Sequence, residues 1–111
     1  MARLIDHSQE IINANNEAIY NALYIIGAKA SDYAAGKAPV DTGRLKNSLT
    51  HEVAMNEKAV YVGTNVEYAP FVEYGHRTPS GKTVEAKPYL KPAILDHLDE
   101  YKQILKEELK M

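Results

Sequence analysis

Cysteine and tryptophan are both missing from these 111 residues, and phenylalanine occurs once. Without cysteine there is no disulfide and no thiolate chemistry, an absence that fits synthesis inside the cell. No apolar run approaches the roughly 18 residues that a membrane-crossing helix needs. The opening MARLIDHSQE lacks the apolar core of a secretory signal. No excess of one charge is present either. Thirteen Lys and Arg stand against 15 Asp and Glu, a net charge of −2, so no overall field draws the chain to DNA or anionic lipid. Four scattered histidines make a poor metal-ligand set.

What is present is an ordinary globular balance, 45% hydrophobic and 25% charged, over a length that suits one domain covering residues 1–111. Tyrosine is the unusual count, with eight copies. Tyrosine offers a large contact area with a polar tip, so it suits a surface that a partner later covers. It suits equally the half-buried ring positions of a small core.

The order of elements predicts an α+β fold: a long first helix, a small antiparallel sheet with a short helix inserted, and a C-terminal helix packed on the sheet. Ile5, Ile12, Ile19, Ile26 and Tyr33 recur every seven residues, with Leu23 and Ala30 added in the second half, which predicts a helix over about 5–35. Gly36 is placed to stop it, and Ala38-Pro39 to confirm the break. In APVDTGRLKNSL (38–49), Asp41 or Thr42 can cap a short helix over roughly 43–49, which Leu45 and Leu49 pin to the core while Gly43 eases the turn.

The sheet region spans about 50–86. His51, Val53 and Met55 alternate with polar or small neighbours, as do Val60, Val62 and Thr64, so the two runs read as a hairpin. Thr83–Ala86 is a candidate third strand. YAPFVEYG (68–75) reads as a short helix ended by Gly75, with Phe71 and Tyr74 on one face. HRTPSGK (76–82) predicts an exposed mobile loop. Pro88 and Pro92 flank the entry to a last helix over about 89–110, striped by Ile94, Leu98, Tyr101, Leu105 and Leu109.

Catalysis needs titratable groups that converge. The best local set is His76, Glu73 and Arg77, a conceivable small hydrolase or nuclease, but its spacing matches no ligand or triad pattern. Ser48 and Ser80 lack a nucleophile elbow, and neither GTN (63–65) nor SGK (80–82) makes a phosphate loop. A nucleic-acid-binding module would draw on Lys37, Arg44, Lys46, Arg77, Lys82 and Lys87, with Tyr68 and Tyr74 to stack on bases; acidic residues interleave throughout. No catalytic, cofactor or metal residue is assigned. The features that remain, rigid corners, tyrosines and a polar loop, suit an assembly subunit.

APVDTGRLKNSL (38–49), YVGTNVEYAPFVEYG (61–75) and AKPYLKPAI (86–94), in that order, resemble the small minor structural proteins of tailed bacteriophages and prophages. These are described as head–tail joining, neck or tail-completion proteins. The resemblance covers roughly residues 15–110. It implies a non-enzymatic virion protein without cofactors, working as a homo-oligomeric ring, six-fold, around the tail axis. Its partners would be the head-side connector or portal complex and the tail tube or terminator proteins. It would sit in the virion neck or tail, assembled in the host bacterial cytoplasm, with DNA passing through the channel unread. Carried onto this sequence, Pro39, Asp41, Thr42, Gly43 and Leu45 form a corner, and Gly75, Pro88 and Pro92 set later ones. Arg44, Tyr68, Glu73, Tyr74, His76 and Arg77 become the interface candidates, with Arg44 expected to pair with Glu73 or Asp41.

Overall fold

A computed structural model describes residues 2–3, 16–39 and 43–110. The expected helix start over 5–15 and the Asp41 and Thr42 caps therefore lie outside the described residues. Helix α1 covers Asn16–Lys37 and buries Ile19, Leu23, Ile26 and Ala30, the residues that the seven-residue spacing singles out, together with Ala22, Gly27, Ser31 and Ala34. It runs past the expected end. Gly36 sits within it, open to solvent, and the Ala38 amide still donates to the Ala34 carbonyl at 2.9 Å. The stop belongs to Pro39, which lacks the N–H for a further turn and disfavours helical geometry at Ala38.

Gly43, at φ +78°, leads into helix α2 (Arg44–Ser48), whose Leu45 is buried. Strands β2 (Thr50–Ala54) and β3 (Ala59–Gly63) then form the expected hairpin, in register from Thr50↔Gly63 to Ala54↔Ala59. The third strand of this sheet is not Thr83–Ala86, of which Thr83–Val84 does form a strand, but in a separate ribbon. The sheet's third strand is β1 (Ala2–Arg3), antiparallel to β3, giving the order β1-β3-β2. Two residues are too few for alternation to be read from sequence.

Helix α3 (Ala69–Tyr74) follows, then β4 (His76–Arg77) and β5 (Thr83–Val84), which pair with each other as a separate ribbon. The predicted loop at 76–82 is thus the arm and tip of a hairpin. Gly75, at φ +75°, turns the chain, and the Thr78 amide donates to the Lys82 carbonyl at 2.8 Å. The last helix is two helices, α4 (Leu90–Leu95) and α5 (Leu98–Leu109), broken at Asp96-His97. Asp99 and Glu100 then lie in a fresh first turn, where negative charge is favoured. The ring of His97 stacks on Tyr33 at 3.6 Å, nearly parallel, and the Tyr33 hydroxyl donates to both Glu100 carboxylate oxygens at 2.5 and 2.9 Å. These contacts tie the break to α1. The Glu100 bond, ahead of burial and the carboxylate charge, raises the Tyr33 pKa.

Helix α1 crosses the sheet and shares one core with it and with α5. Ile19, Leu23 and Ile26 share one cluster with Val60 and Val62 of β3 and with Tyr101, Ile104 and Leu105 of α5. Each such aliphatic side chain contributes roughly 1.5–3 kcal/mol through burial. A second cluster joins Ala34, Ala38, Leu45, Val66, Ala69, Tyr89 and Ala93. Tyr101 and Tyr89 are fully buried, and each satisfies its hydroxyl on a backbone carbonyl, Ala93 at 2.5 Å and Ala69 at 3.3 Å. Tyr20, Tyr24 and Tyr74 are exposed, so the tyrosines divide between core and surface.

The tightest approach of helix to sheet is at Gly27, where a Cβ would lie 2.7 Å from both the His51 ring and a Val60 methyl. Gly27→Val should lower stability by about 2 kcal/mol or more through overpacking. Gly36→Ala, with open space at its Cβ position, should raise it by roughly 0.4–1 kcal/mol. Urea unfolding midpoints of the two variants check both signs.

Burial pushes the Tyr89 hydroxyl up to about 12 and raises Tyr101 further. The folded state disfavours their ionised forms, so this contribution is complete below the ordinary value of 10.0 and is lost as pH rises through about 12. Denaturant unfolding across alkaline pH should show stability falling in that window. Tyr89→Phe and Tyr101→Phe should flatten the fall.

Candidate functional site

Five of the six interface candidates lie in one stretch, from Tyr68 through α3 to Gly75 and Arg77. The chain leaves β3 through Thr64, whose hydroxyl accepts from the Val66 amide at 3.0 Å and pairs with the Ser48 hydroxyl. That bond joins the end of α2 to the exit of β3. Pro70 occupies the first turn of α3, where its missing N–H costs nothing, and Gly75 ends the helix.

Glu73 is the residue whose place differs most from expectation. It is only 6% exposed and faces inward, away from Arg44. Its Oε1 accepts from the amides of Tyr89 (3.1 Å) and Leu90 (2.9 Å), and its Oε2 from Lys91 (3.3 Å). These are the free N–H groups at the start of α4, which has no side-chain cap of its own. A carboxylate there meets both the unpaired donors and the favourable end of the helix dipole. Pro88 and Pro92 bracket the three amides, on positions where no N–H is needed for this contact. Glu73 thus fastens α3 to α4 and is spent inside the chain.

Arg44 pairs instead with Glu67, through two parallel bonds of 3.1 and 2.9 Å, and its guanidinium lies 5.5 Å from the Tyr68 ring centre. Glu67 raises the Arg44 pKa, while its own backbone amide and then Arg44 hold the Glu67 carboxyl below its ordinary value. Both side chains are more than half exposed, so this is a surface pair that orients the half-buried Tyr68 more than it stabilises the fold.

Phe71 and Tyr74 share the outward side of α3, 54% and 79% exposed. The Phe71 ring tilts against His76 at 5.4 Å. Between α3 and α4 lies an open groove of about 760 Å³, walled by Val66, Ala69, Tyr74, Leu90, Ile94 and Leu95. A second hollow lies on α1 beside Tyr20 and Tyr24, whose rings stack at 6.1 Å, with Tyr24 edge-on to His51 at 4.9 Å. His76 and Arg77 stand exposed on β4.

The hydrolase set is not assembled, because Glu73 is turned onto backbone amides while His76 faces solvent. Among the described residues no group of His, Asp or Glu is arranged to hold a metal ion, and no helix is long and apolar enough to cross a membrane. Glu67, Gly27 and the groove wall at Leu95 escaped the sequence reading. Only Gly27 carried a signal, a lone glycine inside a helical pattern, which marks close packing.

The model of the family described as "Bacteriophage HK97-gp10, putative tail-component" matches residues 4–75, well over half of the chain. The chain belongs to that family. The matched span holds the helix, the hairpin and α3 with its corner, and stops before AKPYLKPAI. Comparison with curated proteins and with solved structures gave no match. The protein is therefore a phage structural component of the tail, and its working contacts are with other phage structural proteins.

Removing the Glu73 carboxylate should loosen α4. Glu73→Ala leaves the buried Tyr89 amide and the partly buried Leu90 and Lys91 amides without this acceptor and should cost about 1–3 kcal/mol. Glu73→Gln keeps one acceptor oxygen and should cost less. Urea unfolding gives the totals, and amide hydrogen exchange at Leu90 and Lys91 shows whether the loss is local.

Proposed function

We propose that this tail component works where head and tail meet, joining them or completing the tail end. It does so without catalysis, as one domain repeated in a closed ring. Membership of the tail-component family carries this reading. The surface is in keeping with it. The aromatic pair on α1 and the groove between α3 and α4 lie on different elements, so one chain presents two unlike apolar surfaces. Unlike surfaces that meet between copies give a heterologous contact, which closes into a ring when the rotation between neighbours fits.

In that ring Arg44 with Tyr68, and Tyr74 with His76 and Arg77, are the interface residues, while Gly43, Gly75 and the prolines hold their positions. The partners are the head-side connector and the tail tube or its terminator. The site of action is the virion neck or tail, after assembly in the host cytoplasm.

Light scattering across a concentration series of the purified protein tests the ring. One discrete closed species, six subunits for six-fold symmetry, is the expected result. A monomer at every concentration would sink self-assembly and leave rings that form only on a partner.

A further inference from the structure

The β4–β5 ribbon is the least supported part of the described chain. Two-stranded ribbons are marginal in water without a third strand or a helix against them. Among the described residues β4 and β5 pair only with each other, and every residue from His76 to Pro88 is exposed except Thr78. Its attachment is at the base. The Lys87 amide donates to the Val72 carbonyl at 2.8 Å, and the Gly75 backbone passes so close that a Cβ would lie 2.7 Å from the Val84 carbonyl oxygen. The ribbon is therefore held out as a shaped arm with its faces uncovered.

The three-stranded sheet has the complementary lack. Among the described residues strand β2 pairs with β3 on one side and with nothing on the other, and none of its residues is fully buried, whereas four of the five in β3 are. An open edge of this kind offers a row of unpaired N–H and C=O groups. The charges are opposed as well. The arm carries Arg77, Lys82 and Lys87 against Glu85 alone, while β2 carries the exposed Glu52. Among the described residues none of the side chains of Glu52, Arg77, Lys82 and Lys87 has a hydrogen bond or ion pair.

We propose that the β4–β5 arm of one copy docks on the β2 edge of the next, extending its sheet and setting Arg77 and Lys82 against Glu52. The occupant is a second copy of this chain, because the arm and the edge each supply what the other lacks. The inference rests on the ring reading and names the contact that would make it.

The test compares the wild type with Glu52→Lys, with Arg77→Glu/Lys82→Glu, and with all three substitutions combined. All the changed residues are exposed, and unchanged thermal unfolding of dilute monomer confirms that folding is intact. Light scattering should show each single-sided variant assembling only at concentrations about tenfold higher, with the combined variant recovering much of the loss. Hydrogen exchange should show the Thr50–Ala54 and 76–84 amides gaining protection on assembly. If the wild type assembles while the variants match it and these amides stay unprotected, this contact falls and the ring stands. A wild type that remains monomeric overturns self-assembly and, with it, this contact as the one that drives it.

Discussion

The close approach of α1 to the β2–β3 hairpin at Gly27 is the constraint on which the rest depends. With no side chain there, the helix settles against His51 and Val60, and Ile19, Leu23 and Ile26 reach the inner face of β3. One helix thereby serves two neighbours, because the same cluster takes in Tyr101, Ile104 and Leu105 of α5. A chain of this size has little apolar material to spare. Using α1 as a shared wall lets a two-sided core form without a second long helix beneath the sheet.

The second cluster solves a different problem. It holds short elements, α2, α3 and α4, none of which could be stable alone. Their joints are polar and specific: Ser48 to Thr64, Glu73 to the start of α4, and the Tyr89 and Tyr101 hydroxyls to backbone carbonyls. Because these bonds are buried or nearly so, each also excludes alternative packings that would leave a donor or acceptor unmet. The outward faces of the same elements are left apolar, at Phe71, Tyr74 and Leu95. The inner polar joints thus hold an apolar surface that stays largely exposed.

Much of this was legible in the residues. The stripe Ile19, Leu23, Ile26 and Ala30 has the helical period, and the hairpin alternates, so the second half of the helix and the hairpin were placed closely. Pro70 and Gly75 bounded α3 through local backbone chemistry that needs no tertiary context. What escaped was set by contacts distant in sequence. Glu73 had a charged neighbourhood and looked like an ion-pair partner, yet its acceptors' donors are backbone amides, which no side-chain pattern reveals. The break at His97 leaves the spacing of Ile94, Leu98 and Tyr101 undisturbed, and only the stack on Tyr33 distinguishes it. Gly36 looked like a stop, but nothing required a left-handed residue before Pro39.

The anchoring of α4 has a consequence for how the sequence can drift. Glu73 grips main-chain N–H groups, and these are the same whatever side chains residues 90 and 91 carry. Substitution at the exposed Lys91 can therefore retune the rim of the groove while the angle between α3 and α4 is kept, whereas Leu90 also packs against both core clusters. Proline is the exception, since it alone lacks the donor, and the chain's own prolines stand just outside the gripped run. A lineage matching itself to a changing neighbour would have freedom of side chain there at almost no cost in geometry.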